Sequence, residues 1–275
     1  MWKIGICSWF SYELPIEEKM QLIKNAGFNA TCLWWGDENF NNNKQQQPDI
    51  ARKIGLQIDN MHAPFNNANS LWQENIDGED YQNILISCVQ DCAIHKIPTV
   101  VIHLTGYQPY PSITETVFKR IGKIVDVAER KNVKLAFENL WTPNHLGSVF
   151  ERFSSPYIGL CYDSGHENLN RPFDALALYG DRLFALHIND SFNDSLFPDG
   201  TINWNADAHV LPFDGTVNWE EKMQKLRKCN NIDYFTLEVD FNRNHEKCVI
   251  YKELSAQEYL GLAYERAVKL LSIKT

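Results

Sequence analysis

Short apolar runs alternate with amphipathic segments of helical length along the whole chain. The apolar runs predict strands at 4–9, 28–34, 56–61, 99–103, 133–137, 157–162, 183–186 and 234–238. A segment long enough to return the chain to the start of the next strand follows each run. Eight strand–helix units in 275 residues predict an α/β fold, a closed (β/α)8 (TIM) barrel with one domain over residues 1–275.

Local start and stop signals place the helices. Gly27 ends a helix over about 15–26, and helices are predicted at about 48–54 and 80–95, with the polar stretch 41–47 as a surface loop. N-terminal capping patterns pair Ser112 with Glu115, Asn218 with Glu221 and Ser255 with Glu258. After the first of these, one apolar face repeats at helical spacing, and it consists of Ile113, Val117, Ile121, Ile124, Val125 and Ala128.

Side chains that commonly bind metals stand at the ends of six successive predicted strands. They are His62, His103, Glu138, Asp163, His187 and Glu238, in chain order from the third strand to the eighth. Closing a parallel barrel brings the carboxyl ends of its strands to one rim, where barrel sites lie. His166, Asp207 and His209 join this rim from the adjoining loops. The other three histidines, at 95, 145 and 245, lie in helix or loop contexts and are expected to be solvated.

The charge of this cluster indicates a metal ion. Glu138, Asp163 and Glu238 would repel one another at one rim unless a cation offset them. With His187 they form an oxygen-rich set suited to one divalent ion, either Mn²⁺, Co²⁺, Mg²⁺ or Zn²⁺. If all nine residues bind, the site holds more than one ion, and the histidine share then favours zinc.

Composition narrows the partners and the compartment. The net charge of −9 makes a nucleic-acid partner unlikely. No run approaches the ~18 apolar residues of a membrane span, and the N-terminus enters a strand pattern directly, so no membrane association and a cytoplasmic location are expected. Seven cysteines without CxxC spacing are typical of reduced core thiols. The oligomeric state is open, and a homo-oligomer is compatible with this pattern.

Eight short motifs lie at 61–64 (MHAP), 101–103 (VIH), 137–139 (FEN), 162–166 (YDSGH), 186–190 (LHIND), 207–209 (DAH), 211–219 (LPFDGTVNW) and 237–238 (LE). Together they resemble the xylose isomerase-like TIM-barrel superfamily, and most closely its sugar phosphate isomerase/epimerase branch. They come in the family's order and span most of the chain. Two positions depart from the branch: Phe213 stands where glycine is usual and Asn218 where aspartate is usual.

The resemblance implies a metal-dependent isomerase. In that branch the residues matching Glu138, Asp163, His187 and Glu238 hold one divalent ion, and those matching Glu138 and Glu238 also exchange protons with the substrate. The resemblance therefore implies a sugar or sugar phosphate substrate whose C–H bond is broken through a metal-stabilised enediolate. The residues expected to contact the substrate are His62, His103, His166, Asp207, His209 and Trp34. Trp9, Trp35 and Trp141 are further candidates for an apolar wall against the sugar.

Two other functions remain open. The same nine residues resemble the set that binds three zinc ions in endonuclease IV, which cleaves DNA at abasic sites. Against that alternative, residues 39–47 contain a single lysine, which supplies little positive charge for contacts to DNA phosphates. The third hypothesis is a metal-free carbohydrate-binding or regulatory protein on the same barrel, because a fold does not imply an activity.

Overall fold

The fold is known from a computed structural model that describes residues 2–36, 44–170, 173–193, 203, 206–229, 232–240 and 246–274. Its strands are β1 (Lys3–Cys7), β2 (Ala30–Trp34), β3 (Gln57–His62), β4 (Thr99–Ile102), β5 (Lys134–Glu138), β6 (Ile158–Asp163), β7 (Leu183–His187) and β8 (Tyr234–Leu237). They form one sheet in the order β7-β6-β5-β4-β3-β2-β1-β8. A parallel bridge between Ile188 and Leu237 joins its two edges, so the sheet closes. The predicted (β/α)8 barrel is confirmed.

Helices pack around the outside of this barrel. They are α1 (Ile16–Asn25), α2 (Gln47–Ile54), α3 (Ile76–Ile94), α4 (Glu115–Lys131), α5 (Pro143–Arg152), α6 (Ser164–Leu169), α7 (Ala175–Tyr179), α8 (Trp219–Leu226) and α9 (Ala256–Ser272). The connection from β6 to β7 contains two short helices where the sequence indicated one helix-sized segment. The predicted surface loop 41–47 lies outside the described residues up to 43, and Lys44–Gln46 form a 3₁₀ turn.

Two apolar cores hold the barrel together. The larger core lies between the strands and the helices and includes the predicted face of α4 from Val117 to Ala128. Ile113, predicted on the same face, precedes the helix and is exposed. The smaller core fills the inside of the barrel with Val101, Ala136, Cys161 and Ala185, one from each of four neighbouring strands. Because the inside is filled, the barrel is not a pore.

The caps agree with the sequence in two of three places. Asn218 accepts a hydrogen bond from the backbone of Glu221, and Ser255 forms a full capping box with Glu258. The box predicted at Ser112 is wrong, because α4 begins at Glu115 with Thr114 at its N-cap. The Thr114 hydroxyl donates instead to the carbonyl of Trp72, 2.8 Å away, and so serves the loop before the helix.

Burial and thiol state follow the sequence. All seven cysteines are buried and none is paired in a disulfide. Among the helices formed by the described residues, none combines the length and the apolar composition needed to cross a bilayer.

Asp59 lies buried inside the barrel and should make stability depend on pH. Burial raises its pKa to about 6, although hydrogen bonds from Thr236 and Asn60 act in the opposite direction. A folded-state pKa above the unfolded value means that the folded protein binds the proton more tightly. The contribution of Asp59 to stability should therefore fall by up to about 3 kcal/mol as pH rises from about 4 to 6, and stay constant above that range.

Asp59→Asn should remove this slope, because both donors bind one oxygen, Oδ2, which the asparagine carbonyl can replace. We expect the variant to be more stable than the wild type above pH 6 and equal to it below pH 4, as measured by urea unfolding at a series of pH values. Asp126→Asn, an exposed change on α4, is the control and should leave the slope intact. An unchanged slope in Asp59→Asn would contradict the assignment.

Candidate functional site

The centre of the site is a pair of glutamates that meet at one histidine. Glu138 is the last residue of β5, His187 is the last residue of β7, and Glu238 follows β8 directly. His187 Nδ1 lies 3.0 Å from Glu138 Oε2 and 3.1 Å from Glu238 Oε2. All three side chains are buried. The barrel ends therefore bring together three of the four residues expected to hold one ion.

Asp163, the fourth expected ligand, is fixed by its neighbours. It ends β6 and caps α6, where its Oδ1 accepts the backbone N–H of His166 at 2.7 Å. Its Oδ2 accepts from Asn189 Nδ2, also at 2.7 Å. His166 Nδ1 lies 3.7 Å from Asp163 Oδ1 and 3.0 Å from Glu138 Oε1, which places Asp163 next to the central group.

Two more histidines contact the Glu138 oxygen that His187 also contacts. His103 Nε2 lies 3.2 Å and His62 Nε2 lies 3.6 Å from Glu138 Oε2. The Phe65 ring stacks on His103 with centroids 4.4 Å apart, which fixes that imidazole in the wall of the site. His62, His103 and Glu138 thus form a compact group in which one ligand atom from each lies within 4.8 Å of the others.

The loop after β7 supplies a third group. Asp207 lies 3.3 Å from His166 Nε2 through Oδ2 and 3.3 Å from His209 Nε2 through Oδ1. His209 Nδ1 lies 3.7 Å from Glu238 Oε2, which links this group to the centre. All nine residues predicted from the sequence therefore lie at the same end of the barrel.

Phe213 does not disturb this loop. Its φ of +76° is in the left-handed region, which glycine adopts without strain and other residues enter at a cost of about 1–2 kcal/mol. The Phe213 backbone N–H donates to Asp190 Oδ2, and Lys269 Nζ lies 4.1 Å from the ring centroid. The loop thus keeps the backbone that a glycine would favour. Asp190 also accepts from Val217 N and Trp219 Nε1, each at 2.9 Å.

Charge balance dominates the electrostatics of the cluster. Burial alone would raise the pKa values of Glu138 and Glu238, but the surrounding imidazoles outweigh it and lower the pKa of Glu238 to about 2 and that of Glu138 well below its usual range. Burial raises the pKa of Asp163 to about 7, with His166 opposing the shift. The carboxylates outweigh burial at His209 as well and raise its pKa to about 10. Glu138 and Glu238 are therefore ionised, and positive charge next to them stabilises the cluster.

Several buried atoms of the cluster also have no hydrogen-bond partner among the described residues. They are His166 Nδ1, His187 Nδ1 and Nε2, Asp207 Oδ1 and Glu238 Oε2. Buried polar atoms are almost always hydrogen-bonded, so such a concentration needs an explanation. Nitrogen and oxygen atoms that converge at about 3 Å without hydrogen-bond geometry fit a divalent cation, which would satisfy them together.

A cavity of about 520 Å³ opens onto this cluster. Trp9, Trp34, Phe65, Tyr107 and Trp141 form its aromatic side, while Thr105, Asn66 and Asp240 add polar groups. Trp9, Trp34 and Trp141 therefore lie where the sequence suggested an apolar wall. Phe65 and Asn66 were not singled out from the sequence, although they follow the motif at 61–64 directly. Asp240 had no signal beyond its place two residues after Glu238.

Three tryptophan and histidine assignments are corrected. Trp35 does not line this cavity, because its indole points to α3 and Nε1 donates to Asp91 Oδ2 at 2.8 Å. His95 and His145, expected to be solvated, are half-buried and bonded through Nε2, at 2.6 Å from Gln45 Oε1 and 2.7 Å from the Pro111 carbonyl. His245 lies outside the described residues.

The class of protein follows from these features. The chain is a parallel barrel, and its strand ends carry carboxylates and imidazoles next to a cavity with an aromatic wall. Residues 20–258 match the xylose isomerase-like TIM barrel family, and the chain belongs to that family.

A curated relative and solved structures resemble the chain over most of its length. The chain is 25% identical over 272 residues to the uncharacterized protein y4fM of Sinorhizobium fredii, covering 84% of this chain and 83% of that protein. The structure of an IolI protein with a bound zinc atom aligns with a TM-score of 0.76 at 16% identity, over 98% of both chains. D-allulose 3-epimerase from Methylomonas sp., in complex with D-allulose, aligns with a TM-score of 0.73 at 14% identity, over 98% of this chain and 96% of that one. At such identities the structural likeness establishes the fold.

Proposed function

We propose that the protein is a divalent-metal-dependent sugar isomerase or epimerase that moves a proton with two carboxylates. The observation that carries the proposal is the meeting of two buried glutamates, Glu138 and Glu238, at one nitrogen of His187 beside the cavity. Glu138 comes from β5 and Glu238 from the end of β8, so the two carboxylates approach the site from different strands. Such a pair can remove a proton on one side of a substrate and return it on another.

The residues that would hold the ion are Glu138, Asp163, His187 and Glu238. Three carboxylates and one imidazole suit Mn²⁺, Co²⁺, Mg²⁺ or Zn²⁺. The unsatisfied atoms of His187 and Glu238 support this choice, because a cation would give both of them a partner. When bound, the ion would polarise a substrate carbonyl and make the adjacent C–H bond more acidic.

The chain's own residues would carry out the proton transfers. Glu138 takes a proton at one oxygen while His103 Nε2, 3.2 Å from Oε2, and His166 Nδ1, 3.0 Å from Oε1, hold the carboxylate in place. Glu238 takes up a proton from solvent and returns it to the opposite face for epimerisation or to the neighbouring carbon for aldose–ketose exchange. His166, Asp207 and His209 would orient substrate hydroxyls, and the Trp34 ring would cover a C–H face.

The cavity favours an unphosphorylated sugar. The carboxylates of Glu138, Glu238, Asp207 and Asp240 face it, and the described residues that line it include no lysine or arginine. A phosphate dianion would be repelled by these carboxylates in a partly buried site. A neutral ketose would instead meet aromatic faces and hydrogen-bonding groups, as sugar ligands do. The seven buried thiols, none of them in a disulfide, suit activity in the reducing cytoplasm.

Proton exchange tests the proposal. The protein, loaded in turn with Mn²⁺, Co²⁺ and Mg²⁺, is incubated in D₂O with D-allulose, D-tagatose and their phosphate esters. We expect deuterium at the carbon next to the carbonyl of a free ketose, with at least about tenfold slower exchange for the esters, which corresponds to 1.4 kcal/mol of discrimination. Failure to exchange with any free or phosphorylated ketose under all three metals would refute the proposal.

A zinc phosphodiesterase is the second candidate. It is favoured by the two additional three-residue groups, His62 with His103 and Glu138, and His166 with Asp207 and His209. Each offers three ligand atoms within 4.8 Å of one another, as a site with several zinc ions would require. Incision of an oligonucleotide with an abasic site, lost in His62→Ala, would support this function.

Metal content separates the two candidates. On the isomerase proposal, elemental mass spectrometry after equilibration with mixed divalent ions should give about one exchangeable ion per chain, because four residues complete a single site. His209→Ala should leave that number unchanged, whereas His187→Ala should abolish binding. Close to three firmly held zinc ions per chain would instead support the phosphodiesterase.

A further inference from the structure

The imidazole of His187 has sulfur atoms beside it on the inside of the barrel. His187 is fully buried, and its Nδ1 faces Glu138 and Glu238. Nε2 lies on the other side of the ring, away from those carboxylates. It has no hydrogen-bond partner among the described residues. A histidine that binds a metal usually donates its other N–H to an oxygen, which fixes the orientation of the ring. The neighbours that the barrel places beside this ring are thiols.

Three cysteines from three strands form this thiol floor, which consists of Cys7, Cys32 and Cys161. Cys7 and Cys32 are register partners on β1 and β2, and their sulfurs lie within 4.8 Å of each other and of a His187 ring nitrogen. Cys161 Sγ lies within 4.8 Å of a His187 nitrogen and of a Glu138 oxygen. Cys161 pairs in register with Ala185, and alanine is small enough to leave room for the ring of His187, two residues further along β7.

The hydrogen of at least one of these thiols is already used elsewhere. Cys32 Sγ donates to Asn60 Oδ1 at 2.7 Å, and Asn60 Nδ2 in turn donates to Asp59 Oδ2 at 2.9 Å. Thr236 Oγ1 donates to the same Asp59 oxygen at 2.6 Å. A thiol whose hydrogen is committed can act toward other neighbours only as an acceptor. This buried series of hydrogen bonds therefore leaves the Cys32 sulfur as an acceptor beneath the metal cluster.

We propose that Cys161 is a positioning residue whose sulfur accepts the Nε2–H of His187 and so holds Nδ1 toward Glu138 and Glu238, with Cys7 and Cys32 completing the floor. Sulfur is a weak acceptor in water, but inside a dry barrel an N–H without any acceptor is costly. The inference rests on the proposed function only in taking His187 as a metal ligand. It does not depend on sugar turnover.

Metal affinity tests the proposal without substrate. Cobalt(II) and zinc(II) dissociation constants are measured by chelator competition, together with the visible spectrum of the cobalt form. We expect Cys161→Ala to weaken binding about 10–100-fold, the range typical of lost support behind a metal-binding histidine. Cys161→Ser, which keeps an acceptor, should recover most of that loss. Cys92→Ala is the matched control, since Cys92 is equally buried but lies on α3 against Met61 Sδ, and should change neither affinity nor spectrum.

Two results would overturn the proposal. The first is an unchanged metal affinity in Cys161→Ala, and the second is an equal loss in Cys92→Ala, which would reduce the effect to core packing. If Cys161→Ala does not fold, ¹⁵N-histidine spectra of the zinc-loaded wild type decide: His187 should show one tautomer, with Nε2 protonated and protected from exchange. A mixture of tautomers or rapid exchange at that proton would refute the assignment. Altered metal affinity without ketose exchange would leave this inference standing and refute the isomerase.

Discussion

Glu138→Gln is expected to lower the rate of ketose conversion about 10²–10⁴-fold, the contribution usual for a general base or acid. The amide cannot accept a proton, and it also removes a negative charge that His103, His166 and His187 all contact. Solvent deuterium exchange into the ketose should fall in parallel with kcat, because both need the same proton transfer. Glu238→Gln should have an effect of the same order, since the second carboxylate completes the transfer.

Metal occupancy must be measured on the same samples, because Glu138 is also an expected ligand. The informative variant is one that still holds the ion at high metal concentration and has lost turnover. Glu221→Gln, on the outer surface of α8, is the control and should keep full activity. A metal-loaded Glu138→Gln protein with more than about a tenth of the wild-type kcat would contradict the proton-transfer role, given the size of the expected effect.

Arg120→Met is expected to reduce the free energy of unfolding by about 3–5 kcal/mol, because several buried carbonyls lose their donor together. Arg120 projects from α4 and is buried. Its guanidinium donates to the carbonyls of Ser70, Leu71 and Gln73 through Nη1 and of Asn75 through Nη2. These carbonyls belong to the segment between β3 and α3, which also carries the cavity residues Phe65 and Asn66.

Urea unfolding measures this effect directly. Lys123→Met, an exposed change on the same helix, is the control and should stay within about 0.5 kcal/mol of the wild type. Arg120→Lys keeps the charge but not the fork of donors, so it should fall between the two. A loss below about 1 kcal/mol in Arg120→Met would mean that the carbonyls find other donors.

Much of the fold could be predicted because the strand signal is local. Apolar runs four to seven residues long placed all eight strands, and the residues expected at their ends are at their ends. The capping box at Ser112 failed for a tertiary reason, since the hydroxyl of Thr114 bonds the carbonyl of Trp72 in a distant loop. A capping hydroxyl can bond either the helix N-terminus or a distant group. At Ser255 the hydroxyl bonds the helix N-terminus, and the capping box forms as predicted.

The side chains of the site divide in the same way. The nine residues were found because each stands at a strand end or in a motif beside one. Trp35 was misplaced because neighbouring residues on a strand point to opposite faces, so Trp34 enters the cavity and Trp35 meets Asp91. Arg120 and the thiol floor gave no signal, since an arginine on a helix and scattered cysteines are ordinary in a sequence.

The sequence by itself determined the barrel, its strand ends and the ligand-type residues that they carry, because hydrophobic period and chain order fix which ends share a rim. Only the tertiary structure decided how those residues meet: that Glu138 and Glu238 converge on His187, that Asp207 bridges His166 and His209, and that a left-handed Phe213 is tolerated. These distances depend on closure, tilt and loop packing. They arise between residues far apart in the chain, where no local pattern carries the information.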